Sequence, residues 1–424
     1  MTQNIPNYKD SKIAIIGAGP SGLMAAEVLS NAGYAPIVFD AKPSAGRKFL
    51  QAGRGGLNLT HSEDFSVFCS RYFEAQHSMQ KALNIFSPDN MREWAKSLGF
   101  ETFVGSSGKV YPLNKKAAPL LRTWIQKLKA NNTKFKMNYN FIGFSKDVWK
   151  FQTPDGVEQF KFDVVILALG GASWPQLGST GEWTKTLKEK GLNISELRPA
   201  NMGFNVNHSK VFKDKFSRTP LKNVQLSFSD INDNHHSKLG ELLVTEFGIE
   251  GNLIYAHSKY IRELLELKTP TIVYLDLFVH TSESKLRELL SAQRGKQSLS
   301  AFWKRLGLDG VRASLLREVL DNNELNKPDL VAKTLKNYPL TLESCRPLQE
   351  AISTAGGLKF DNLDDNLMLK DFTGVFCVGE MLDWEAQTGG YLLTGVMAQG
   401  KQAALGILKY LQKNHDKDLT DGSL

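Results

Sequence analysis

The residues best suited to chemistry stand in short glycine-rich segments. Gly17-Ala18-Gly19-Pro20-Ser21-Gly22 has the spacing GxGxxG. There the first glycine permits a tight turn, the second lets backbone approach a pyrophosphate, and the third lets helix and strand pack closely. A helix opening at Pro20 would add unpaired N–H groups and the positive end of its dipole. Asp40 follows Gly17 by 23 residues, where an acid can take both hydroxyls of a ribose. By itself Asp40 reads as a turn or helix cap. Behind this motif it points to a bound dinucleotide.

Three further segments favour FAD over NAD. Just beyond Asp40-Ala41, Gly46-Arg47-Lys48 leads into Gln51-Ala52-Gly53-Arg54-Gly55-Gly56-Leu57-Asn58. Such a loop can follow an extended cofactor with its arginines and backbone amides. The plain alternative is an exposed loop. Ala168-Leu169-Gly170-Gly171 closes a strand with small residues that permit close passage. Gly379-Glu380 closes the last strand, and Gly389-Gly390-Tyr391-Leu392 opens the last helix. That helix could aim its N-terminal amides at the pyrimidine edge of a flavin, favouring negative charge on the reduced ring.

Candidates for the reaction are fewer. Lys48 reads equally as a cation beside the flavin ring and as a phosphate or structural partner. Trp384 could wall a substrate pocket and Asp383 could move a proton, although packing and loop capping are the preferred readings. His61 is the best placed of eight histidines, with an exposed, non-catalytic role preferred. His235-His236 lacks metal-ligand company, and no metal site is expected. No second GxGxxG follows a strand, so NAD(P)H, if used, would dock transiently as a reductant. No His or Cys is placed for a covalent link, so FAD is expected to be non-covalent.

These segments need strands and helices to carry them. Lys12–Ile16 and Pro36–Asp40 are short apolar strands flanking a helix from Pro20 to Ala32, a βαβ beginning. Ser87–Lys129 reads as mostly helical, with a break at Val104–Pro112. Lys134–Thr153 reads as a hairpin, and Phe162–Leu169 as a buried strand. Residues 201–280 hold short strand-like runs, Gly240–Gly251 reading as a hairpin, and 281–340 show helical spacing. Val375–Gly379 and Tyr391–Leu411 return to the strand and helix texture of the start. Both ends therefore build one α/β domain, and the middle is inserted.

The 424 residues suit two or three domains. Hydrophobic residues are 42% and charged residues 23%, which excludes a disordered or low-complexity chain. No apolar run reaches the ~18 residues of a membrane helix, and no membrane partner is expected. Cys69, Cys345 and Cys377 form no CxxC, so a disulfide framework or zinc ribbon is unsupported and a cytoplasmic setting is expected. The net charge is +8, read first as a solvated basic surface and charges facing a phosphorylated cofactor. Half of it falls in residues 281–340, which keeps nucleic acid as the less favoured alternative. Oligomeric state is not legible.

The assembled segments resemble the BaiN/YhiN-like family of FAD-dependent flavoproteins, described as NAD(P)/FAD-dependent and, for some members, aminoacetone-oxidase-like. The resemblance spans nearly the whole chain. It is carried by Gly17–Ala26, Gly46–Thr60, Gly108–Ala117, Ala168–Trp183, Gly240–Gly251, Ser353–Leu358 and, most distinctively, Gly379–Ala403. Many relatives have a cysteine in the loop where Leu57 stands here. The resemblance implies a glutathione-reductase-like FAD domain of Rossmann type (1–195 and 345–424), an inserted β-barrel-like domain (196–280 and 341–358) and a small helical subdomain (281–340). The expected function is an FAD-dependent oxidoreductase moving hydride between a small organic molecule and flavin N5. A flavoprotein that binds or modifies RNA and a non-catalytic flavin sensor are the alternatives.

Overall fold

The computed structural model describes residues 11–53 and 55–421, so the expected cofactor residue Arg54 lies outside the described residues. The chain forms two compact units, one of residues 1–198 and 353–424, the other of 199–352. The stretch 345–358, which the sequence reading shares between domains, divides between them at 352/353.

The first unit is built on a five-stranded parallel sheet in the order 375–377, 164–167, 13–16, 37–40, 134–137. Ile13–Ile16 is the central strand and is buried throughout, as a strand covered on both faces must be. Ile16 pairs with Leu167 and Phe39, and Leu167 with Cys377. Gly17, Asp40, Ala168 and Val378 therefore fall in one row at the carboxyl edge, where open α/β sheets bind their ligands. Lys134–Met137 is the outer strand of this sheet and not half of a hairpin. The antiparallel strands that follow are Asn140–Ser145, Val148–Thr153 and Gly156–Lys161. The alternation in 134–153 is shared by both kinds of strand, so it could not separate them.

Helix Pro20–Asn31 is buried on nearly every side. A Cβ at Gly400 of the last helix, Tyr391–Asp421, would sit 2.2 Å from the Ser21 carbonyl oxygen, so glycine there allows the two helices to cross closely. Buried Glu27 is fully engaged: Trp124 Nε1 donates to it at 2.6 Å, Trp94 Nε1 at 3.1 Å and Lys127 Nζ at 2.7 Å. A charge at this depth persists only with such company.

The second unit carries a seven-stranded sheet, ordered 338–342, 271–276, 219–229, 235–244, 248–250, 204–205, 344–345. Its two terminal strands are separated in the chain by Glu343 alone, so the sheet must curl until its edges meet. That makes it barrel-like and leaves little open edge. Residues 235–250 do form the expected hairpin. Helices Glu283–Leu290, Leu299–Arg305, Gly310–Val319 and Pro328–Lys336 follow the expected helical spacing, and helix Ser258–Leu267 was not anticipated. No helix among the described residues is long and apolar enough to cross a membrane.

Candidate functional site

The glycine turn after Ile16 is shaped by contacts a side chain would destroy. A Cβ at Gly17 (φ 115°) would lie 2.1 Å from the Ala168 carbonyl oxygen, and one at Gly22 would lie 2.0 Å from that of Gly17. A Cβ at Gly19 would meet nothing within 4 Å. Two glycines thus hold strand and helix together, and the third borders open space at the amino end of helix Pro20–Asn31, where no side chain caps the helix. Buried Ser21 lies against Gly379 from the last strand turn.

Asp40 accepts from Ala18 N and Lys42 N, both at 2.8 Å. Burial raises its carboxyl above the ordinary value, and those two bonds with the charges of Lys42 and Arg47 limit the rise. A carboxylate has about four acceptor positions, so two remain for hydroxyls. Gly46 adopts φ 68°, and its N–H donates to Ala18 O at 2.9 Å, tying the following helix, Arg47–Ala52, to the glycine turn. Arg47 Nε is buried without a hydrogen-bond partner. An orphaned guanidinium nitrogen beside an uncapped helix start suits an anionic group, so these residues fit the phosphates of a dinucleotide.

Lys48 joins three strand ends. Its Nζ lies 2.6 Å from Ser173 Oγ and 2.6 Å from Glu380 Oε2. Glu380 Oε1 accepts from Thr354 N at 3.0 Å, and Thr354 Oγ1 from Ala172 N at 2.9 Å. An ammonium has three hydrogens, which leaves one to spare on a side chain 26% exposed. Ser173 and Thr354 were not singled out from sequence. Their signal was adjacency to Gly170-Gly171 and to Gly356-Gly357, which the reading used only as small residues. Trp174 was missed too: this half-buried residue holds a left-handed φ of 58°, a conformation costly for a bulky side chain. Gly170 O accepts from Trp183 Nε1 at 2.9 Å.

Other expected residues act through structure. Trp384 takes the packing role preferred from sequence. It is buried beside Tyr72, and its indole N–H donates to Gly379 O at 3.1 Å. Asp383 accepts from Ser195 Oγ at 2.5 Å and ties down its loop. Asn58 Nδ2 donates to Thr60 O and Val110 O, at 2.8 and 3.0 Å. Gly390 (φ 94°) runs against the Thr60 backbone, and Thr394 Oγ1 donates to Thr60 Oγ1 at 2.9 Å. The last helix thereby begins beside the 58–60 segment. Tyr391 turns its ring into the core against Phe68 and His61. Burial pushes its phenol far above the ordinary range, and the bonded Glu63 carboxylate adds to that. At Tyr391 only the backbone is then offered at the helix start. His61 is held by Ser107 O at 2.9 Å and Glu63 N at 3.2 Å. Among the described residues no group of three His, Cys, Asp or Glu could hold a metal.

The fold and this row of turns define a Rossmann-type dinucleotide-binding protein. Residues 11–406 match the family described as HI0933-like protein Rossmann domain. The chain belongs to that family, and it is an enzyme of the FAD-dependent oxidoreductase class. It is 27% identical over 405 residues to a 3-dehydro-bile acid delta(4,6)-reductase of Clostridium scindens, covering 92% of this chain and 97% of the relative. It is 22% identical over 385 residues to a ribosomal RNA dihydrouridine synthase of Escherichia coli, covering 89% and 93%. A 3-ketosteroid delta1-dehydrogenase structure from Sterolibacterium denitrificans shares the fold, with TM-score 0.51, 11% identity and coverage of 94% and 99%.

Proposed function

We propose that this chain is an FAD-dependent reductase that saturates a carbon–carbon double bond conjugated with a carbonyl group in a small organic substrate. The reading rests on Lys48, a cation held at the carboxyl edge of the sheet by Ser173 and Glu380 with one hydrogen to spare. Bound FAD, once reduced by NAD(P)H, would supply hydride from N5 to the β-carbon, and solvent would supply the proton taken up at the α-carbon. The Gly17–Gly22 turn and the first helix would hold its phosphates, Arg47 Nε would be a further anion partner, and Asp40 would accept a ribose. The backbone at Gly389–Leu392 and the charge of Lys48 would favour the reduced state. Trp174, not Trp384, would be the aromatic surface nearest the Lys48 junction. The bile acid reductase and the dihydrouridine synthase carry names for the same chemistry: loss of ring double bonds in a 3-oxo bile acid, and saturation of the uracil ring. NADH or NADPH is the proposed transient reductant.

The excess positive charge of residues 281–340 supports a second reading, in which the double bond belongs to a uracil in RNA. The test is anaerobic. Photoreduced, flavin-loaded protein is mixed with cyclohexenone, with uridine-containing RNA, or with cyclohexene. Reoxidation by cyclohexenone but not cyclohexene supports the first reading, and reoxidation by RNA alone supports the second. Indifference to both conjugated substrates, with rapid reoxidation by oxygen after reduction by amines, would replace them with an oxidase.

A further inference from the structure

The second unit contains a cleft of about 440 Å³ that no step above uses. Three helices face it at helical spacing. Lys210–Phe216 presents Val211 and Lys215, Leu299–Arg305 presents Ser300 and Lys304, and Gly310–Val319 presents Ser314 and Arg317. Phe212 and Leu308 form an apolar floor. Two carboxylates also line the cleft. Glu318 is engaged, accepting from Ser209 N and Ser209 Oγ, both at 2.7 Å. Asp309 is exposed.

Lys215, Lys304 and Arg317 outnumber the two carboxylates of the cleft, one of which is engaged with Ser209, so the concavity keeps a net positive charge that suits an anion. Among the described residues neither Lys215 nor Lys304 has a carboxylate partner. Arg317 is fixed in place, donating to Ala313 O at 2.8 Å and Ser300 Oγ at 3.0 Å, with its guanidinium 5.2 Å from the Trp303 ring centre. Val211 is 77% exposed beside Lys215, an apolar surface next to a cation. Cations with adjoining apolar surface are what a single strand of nucleic acid uses. A concave site in the size range of small-ligand pockets admits one strand and not the convex flank of a duplex. Not every basic residue of this region is available. Arg312 is committed to the fold, donating to Leu277 O at 2.8 Å and Lys222 O at 2.6 Å.

We propose that this cleft binds the phosphodiester backbone of a single-stranded nucleic acid, with Lys215, Lys304 and Arg317 on phosphates and Val211 against a base or sugar. The proposal goes beyond the redox reading and is tested apart from it, by fluorescence anisotropy of labelled single strands with the oxidised, flavin-loaded full chain. Three phosphate contacts give a salt slope of about −2, so affinity falls roughly 20-fold between ~50 and ~200 mM salt. Joint substitution Lys215→Gln and Lys304→Gln should reduce the slope to about −0.7 while flavin content and melting temperature stay as in the wild type, because both side chains are exposed. RNA and DNA strands of one sequence show which sugar the cleft prefers. Absence of binding, a slope unchanged in the double variant, or equal binding of a duplex would overturn the proposal.

Discussion

Replacing Gly19 by valine separates holding the fold from holding the cofactor. Gly19 has φ −79° and ψ 177°, extended backbone that a β-branched residue adopts readily, and an added Cβ meets no atom within 4 Å. Losing glycine at a helix start costs up to ~1 kcal/mol, and restricting the unfolded chain returns ~0.4–1 kcal/mol. The flavin-free protein should therefore melt within a few degrees of the wild type. The valine methyls fill the space where phosphate would meet the first helical amides. Two charge-assisted hydrogen bonds lost at about 1.5–3 kcal/mol each amount to at least a hundredfold in affinity. Gly22→Ala behaves differently, since its Cβ would lie 2.0 Å from a backbone oxygen, and it should fail to accumulate as folded protein. Thermal melting of flavin-free protein and titration with FAD read the two effects separately. A Gly19→Val protein that binds FAD with wild-type affinity would refute the placement of the phosphates.

Further outcomes follow from the same contacts. Lys48→Met leaves buried Glu380 without its cation and should cost about 2 kcal/mol in urea unfolding, less than a fully buried pair because the lysine is a quarter exposed. Adding Glu380→Gln should restore most of that loss, whereas the flavin potential should stay lowered in both proteins. Trp384→Phe removes the bond to Gly379 O and should cost about 1 kcal/mol with KM unchanged; a large rise in KM would return this residue to the substrate pocket. Burial lowers His208 to about 4, only partly offset by Glu318. Its folded pKa lies below its unfolded one, so the unfolded chain takes up the proton first. The second unit should be fully stable above pH ~6.5 and lose up to ~3 kcal/mol as pH falls to ~4. His208→Phe should flatten that dependence in urea titrations, and an unchanged pH profile would show that another group governs it.

The parallel core was legible because its strands are short, continuously apolar and closed by glycine turns, as at Ile13–Gly17 and Val375–Gly379. The glycine pattern also separated turn from helix correctly at Pro20. Alternation over Lys134–Thr153 could not distinguish an outer parallel strand from an antiparallel one, since both show a polar face. The helix Ser258–Leu267 was hidden among strand-like runs whose β-branched residues masked its amphipathic spacing. At the site, the backbone requirements of Gly17, Gly22 and Gly390 could be read, whereas the partners of Lys48 could not. Ser173, Thr354 and Glu380 lie more than a hundred residues from it in sequence, and only the strand register brings them together. Trp384 and Tyr391 were ambiguous for a related reason: an aromatic beside a glycine turn can face either the ligand or the core, and both rings pack among buried aromatics.

The most direct measurement is the identity and stoichiometry of the chromophore released from the purified protein by heat. The account requires one FAD per chain, freed without proteolysis, because it places a pyrophosphate at the Gly19 turn and Arg47 and expects a non-covalent cofactor. FMN, a nicotinamide nucleotide alone, or a flavin that stays with the denatured chain would contradict it.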